Sequence, residues 1–284
     1  MQSILTLLDT SQLVIWPAQI IGWAGWFVML ALIVWGMRYW WEPLEGINVK
    51  KAIIVVGLSA AALVFTLFIG IRFSPNQAIA IPGTVVDPKP PVVMLFTAVP
   101  WVFAAGMLGP LYAVLFGAFS GLVLAFFEVH NLFTPLALGL TALLYSVIVR
   151  QPYRTGVFQL LRHPLAASVL MGLVVTPLLM LGAILSIDDT LAVRLDFALT
   201  DIWMQILARW IEVLIAGALA EVIYISGGKV WERPKEMRPS PIETSLQFRF
   251  LSGALPLIFG LIIFLTIGDW IVAGKAARKM IKSQ

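Results

Sequence analysis

Residues 88–150 read PKPPVVMLFTAVPWVFAAGMLGPLYAVLFGAFSGLVLAFFEVHNLFTPLALGLTALLYSVIVR, with no charged residue between Lys89 and Glu128. The stretch is too long for one membrane crossing, since about 20 apolar residues suffice for a helix to traverse the hydrocarbon. Gly109-Pro110 and the turn-forming run 131–135 punctuate it. Those breaks predict three helices folded back on one another, over 92–107, 110–127 and 133–149. In the second, Ala113, Gly117, Gly121 and Ala125 recur at every fourth position. Apolar surface alone gives helices in lipid no reason to associate, whereas small residues let backbones approach closely. The stripe is therefore expected to be a helix–helix contact, against the plain alternative that Ala and Gly are common in such helices.

Composition points the same way. Hydrophobic residues make up 60% of the chain and charged residues 12%, where a soluble domain carries about a quarter charged. The expected class is all-α, a polytopic integral membrane protein of about eight transmembrane helices. The chain has no cysteine, which removes disulfides, thiolate metal sites and cysteine nucleophiles from consideration. His130 and His163 are too few to build a histidine metal site. No cofactor, metal or nucleic-acid partner is expected, because the net charge of +4 sits mainly in loops and reports topology.

Eight spans are read at 13–35, 52–71, 92–107, 110–127, 133–149, 165–185, 203–226 and 250–271. Their grouping gives an N-terminal helix in 1–45, a six-helix core in 46–228, a hydrophilic linker in 229–249 and a final span with tail in 250–284. The N-terminus lacks a basic region and its apolar run reaches full membrane length, so it reads as a span rather than a cleaved leader. The 73–91 segment, rich in proline, reads as an extended loop, and 188–201 as an acidic one. Arg38, Lys50, Lys51, Arg150, Arg154, Arg162, Lys229, Arg233, Lys235, Arg238 and Arg249 fall in alternate loops, against Lys89, Arg194 and Arg72 in the others. Basic loops stay cytoplasmic, which places the N-terminus outside, in a bacterial inner membrane. The basic tail then lies outside too, and reads either as the start of a following extracytoplasmic domain or as a solvated terminus.

Enzyme signatures are absent: the sequence contains no Gly-rich phosphate loop, no His-Glu-x-x-His and no serine elbow, so no catalytic activity is expected. Ionisable residues within spans are the sharper pointers, since they are costly in lipid unless they face protein or water. Arg209 and Glu212 are three apart and share a helix face. With Trp203 and Gln205 they occupy the outer half of the seventh span, while Glu128, His130 and Asn131 sit at an outer hairpin. Two readings stand side by side. One is a ligand pocket opening outward, built from these seven residues and lidded by 73–91; the other is an ion pair that satisfies itself beside interfacial polar residues. Glu221 reads as a packed or snorkelling carboxylate, and Trp101 as a filler of the bundle.

From 51 to 226 the order of helix, Pro-rich outer loop, short helix, Gly-Pro hairpin, small-residue helix and Phe-Thr-Pro helix start resembles the substrate-binding S components of energy-coupling-factor vitamin transporters. It is also similar to the multi-span sensor domains of bacterial histidine kinases. MLGPLYAVLFGAFSGLVLAFF (107–127) and LFTPLALGLTALLYSVIVR (132–150) carry the resemblance. S components use small residues of their first helix to dock a coupling subunit, a role that the resemblance suggests for Gly57 and Ala61. The segment PIETSLQFRFLSGALPLIFGLIIFLTIGDWIVAGKAARKMIKSQ (241–284) is similar to the lead-in to Cache-type receptor domains. The resemblance implies a membrane-embedded receptor module that binds a small ligand from outside and relays it through the last helix to further domains. A solute-uptake subunit working with an ATPase partner, or a structural subunit of a membrane complex, are the alternatives.

Overall fold

The computed structural model describes residues 14–17, 19–40, 49–72, 81–82, 90, 92–226, 231 and 236–240. The linker 229–249 falls outside them except for 231 and 236–240. The final span 250–271, the basic tail and nearly all of loop 73–91 lie outside them entirely.

The described chain is mostly helical. In order come α1 (Ile20–Tyr39), α2 (Val49–Phe68), β1 (Gly70–Arg72), β2 (Val92–Met94), α3 (Val99–Met107) and α4 (Pro110–Leu124). They are followed by a π-helical turn (Ala125–Val129), α5 (Thr134–Arg150), α6 (Gly156–Leu161), α7 (Pro164–Ser186), α8 (Leu191–Thr200) and α9 (Trp203–Ile225). Among the described residues four stretches, Ile20–Tyr39, Lys51–Phe68, Pro110–Val129 and Pro164–Ser186, are long and apolar enough to cross a membrane. The 23-residue α9 carries Arg209, Glu212 and Glu221 along its length.

Three expectations are corrected. Residues 92–107 are not one helix. Val92–Met94 is a strand, 95–98 a turn, and α3 begins only at Val99, with Pro100 in its first turn. Proline lacks the N–H that an interior helical position would use, so it marks a helix start. The β-branched Val92 and Val93 suit the extended stretch before it. The first helix starts at Ile20 rather than 13, because Pro17 cannot donate within a helix; the backbone before it instead pairs Ile15 N–H with the His130 carbonyl at 2.7 Å. The acidic segment 188–201 contains α8. There Phe197 and Ala198 face the protein and Leu191, Leu195 and Leu199 face away, a four-residue apolar repeat that a loop reading overlooks.

The tightest pairing joins α4 to α5. A Cβ on Gly117 would stand 2.8 Å from the Leu138 carbonyl oxygen, and one on Gly121 2.7 Å from the Pro135 Cα. Only a bare backbone permits that approach. Ala113 and Ala125, the outer members of the stripe, are buried as well. Gly57 differs, with nothing within 4 Å of its missing Cβ, and it lies with partly exposed Ala61 on the open side of α2. Gly109, at φ 104°, makes the left-handed turn between α3 and α4. At the centre, Trp101 is fully buried edge-to-face on Tyr145, ring centroids 5.7 Å apart.

Residues 152–158 and 236–240 belong to a separate unit. In it Arg238 N–H donates to the Pro152 carbonyl at 2.8 Å and Arg154 N–H to the Arg238 carbonyl at 3.0 Å.

Candidate functional site

Strands β1 and β2 pair antiparallel, with Gly70 opposite Met94 and Arg72 opposite Val92. Successive residues of a strand turn their backbone groups to opposite edges. Leu95 N–H bonds the Ile69 carbonyl on the β1 side, so Val92 and Met94 present their N–H and C=O to the other edge. All three residues of β2 are buried. An unpaired edge there would be costly, because buried backbone groups away from water need partners.

Helix α9 supplies them. Arg209 Nη2 donates to the Val92 carbonyl at 2.9 Å, and Glu212 Oε1 accepts from Met94 N–H at 2.6 Å. Arg209 Nη1 and Glu212 Oε2 close the arrangement at 2.7 Å. A residue of a parallel neighbouring strand would make the same donation and acceptance two residues apart; a guanidinium and a carboxylate one helical turn apart do so here. Both side chains are almost wholly buried, 4% exposed for Arg209 and 2% for Glu212. This clasp ties the hairpin to α9 about 9 Å below the helix start, at 1.5 Å rise per residue.

Arg209 has a second role. Its side chain lines a cavity of about 40 Å³, together with Pro90, Glu128, Thr134, Leu179 and Gln205. A smaller cavity of about 20 Å³ lies alongside, with Gln205 and Val129 in both walls and Asn131, Ser186 and Phe197 among its other linings. One water needs about 10–15 Å³ of such space, so the larger cavity has room for a small polar group of a few heavy atoms. Pockets for drug-sized ligands run to several hundred Å³.

The seven sequence-chosen residues are distributed as follows. Arg209, Gln205 and Glu128 meet at the larger cavity, and Gln205 and Asn131 at the smaller. Glu128 stands on the π-helical turn, its carboxylate 3.4 Å from Arg72 Nη2. Asn131 Oδ1 accepts from Phe133 N–H at 2.8 Å while its amide donates to Ser186 Oγ at 3.2 Å, which fixes the turn into α5. His130 is buried at φ 54° and its carbonyl holds Ile15; it lines neither cavity. Glu212 is used up by the clasp, and Trp203, half exposed, lines neither cavity. Among the described residues no group of three or more His, Cys, Asp or Glu could hold a metal ion.

Sequence reasoning missed Arg72, Val92, Met94 and Thr134. Two of these contribute only backbone to the clasp, which no side-chain pattern announces; Arg72 enters the sequence reading only among the charges that set orientation.

At the other end of α9, Glu221 is the packed carboxylate of the two readings. It accepts from Leu165 N–H at 3.1 Å and meets His163 Nδ1 at 2.7 Å, capping the N-terminus of α7 from a neighbouring helix. An acceptor there satisfies N–H groups that the first turn leaves without partners. Tyr224 stands edge-on to both His163 and Trp231.

Compared with protein-family models, with curated proteins and with solved structures, the chain matches none.

Proposed function

We propose that the protein is a membrane-embedded receptor module that takes up a small polar solute from the extracytoplasmic side. One observation carries this reading: the side chain that lines the cavity, Arg209, is the side chain that clasps the hairpin to α9. A solute that engages Arg209 acts on the contact between these two elements. Only a difference in affinity between two arrangements can shift an equilibrium, and a shared guanidinium gives the solute such a difference. In this proposal the cavity opens to the outside, the N-terminus lies outside in a bacterial inner membrane, eight helices cross it, and the span at 250–271 carries the response onward. The charge distribution in the loops supports that orientation. The size of the cavity favours this reading over uptake of a vitamin-sized substrate, for which a space of about 40 Å³ falls far short.

The test is a panel of small polar solutes scored by thermal unfolding of the purified full chain. Gln205→Leu removes an amide from both cavities and leaves the clasp untouched. Solutes that raise the melting temperature of the parent chain should lose that effect in Gln205→Leu; equal stabilisation of both proteins, or of neither, contradicts the proposal.

A further inference from the structure

The cavity contains one cationic and one anionic wall, and each already has its own counter-charge. Arg209 is paired with buried Glu212 at 2.7 Å, and Glu128 faces Arg72 at 3.4 Å. These four groups sum to zero charge. A solute with a net charge would enter as an uncompensated ion in a setting that water no longer screens. A neutral solute without charges would leave both pairs as they are and gain no charge-assisted contact from either wall. What fits is an internally balanced molecule.

The two ends of the cavity also differ in depth. Arg209 is buried, and only two of the five N–H donors of its guanidinium are taken up by Glu212 and Val92. Its planar fork suits a carboxylate. Gln205 and Thr134 line the same space with further polar groups. Glu128 lies nearer the surface, its side chain 16% exposed, and its partner Arg72 is 44% exposed. A long contact between partly exposed groups is weak and yields readily to a competing cation. The space, about 40 Å³ in all, admits a small head group but no long frame behind it.

Resting on the receptor reading above, we infer that the cavity takes a small zwitterion, its carboxylate inward on Arg209 and its ammonium outward on Glu128, as in the head of an α-amino acid. Glu128 displaces its contact from Arg72 to the ammonium, and the site remains electrically neutral throughout. Selection follows from the pair of contacts, because each half-molecule satisfies one wall and leaves the other unmatched.

The experiment compares glycine, acetate, glycinamide and glycerol as stabilisers of the purified full chain in thermal unfolding, with Glu128→Gln and Gln205→Leu beside the parent. Glu128 takes no part in the clasp, so the Gln variant preserves the fold. Glycine is expected to act at concentrations at least tenfold below the other three, and Glu128→Gln to reduce it to the level of acetate. Acetate or glycinamide matching glycine in the parent chain, or an unchanged glycine response in Glu128→Gln, overturns the zwitterion. If another solute gives a shift that depends on Gln205 while glycine gives none, the zwitterion falls and the receptor pocket stands. Failure of every solute overturns both.

Discussion

Arg209 and Glu212, one turn apart on α9 and joined at 2.7 Å, stand beside β2 where a third strand would stand. Extended backbone inside a helical membrane bundle is tolerated only where protein or water satisfies it. The ion pair does so with one donor and one acceptor. Each charge is in turn neutralised by the other, so the arrangement closes on itself without a bare ion.

Removing one member is expected to leave a buried charge unpaired together with a strand group. Arg209→Ala or Glu212→Ala should each cost about 3–5 kcal/mol, read as a loss of unfolding free energy in detergent. The double variant Arg209→Met with Glu212→Leu should cost less than the two single losses added together, since no charge remains. Additive losses would mean that the pair is not coupled.

The stripe on α4 gives a second test. Gly121→Ala places a methyl group 2.7 Å from the Pro135 backbone, and overpacking of this kind costs about 1–3 kcal/mol. Gly57→Ala meets nothing within 4 Å and should leave stability unchanged or slightly raised. Equal effects at the two sites, measured by thermal unfolding, would contradict the close α4–α5 approach.

Glu221 predicts a local effect. Glu221→Ala removes the acceptor for Leu165 N–H and the partner of His163. A loss of about 0.5–2 kcal/mol is expected, in the range of a helix N-cap. Hydrogen exchange should quicken at the first turn of α7, and solute responses at Gln205 should persist.

Much of this architecture is legible in the residues. Gly109-Pro110 and the 131–135 run mark real breaks, and the apolar runs at 110–127, 165–185 and 203–226 fall on α4, α7 and α9 within a few residues. The Arg209–Glu212 spacing announces a shared face, but not what the face holds. The sequence places Val92–Met94 in a helix over 92–107 because a short, fully buried apolar run has the same composition as a strand or a helix, whereas Pro100 marks a helix start within that range. The clasp's other half is backbone, so its position emerges only when β2 and α9 are brought together in space. Gln205, from the outer half of the seventh span, and Glu128, from the outer hairpin, share a cavity wall with Arg209. Trp203, from the same half of that span, is half exposed and lines neither cavity.

The proposed outward opening of the cavity beside the clasp is directly measurable, because the chain contains no cysteine. Single variants Gln205→Cys and Tyr224→Cys, near opposite ends of α9, would be exposed in intact cells to a maleimide that does not cross membranes. The prediction is labelling of Cys at 205 from outside, and of Cys at 224 only once the membrane is permeabilised. Labelling of position 205 only after permeabilisation would invert the orientation and remove the extracytoplasmic receptor site.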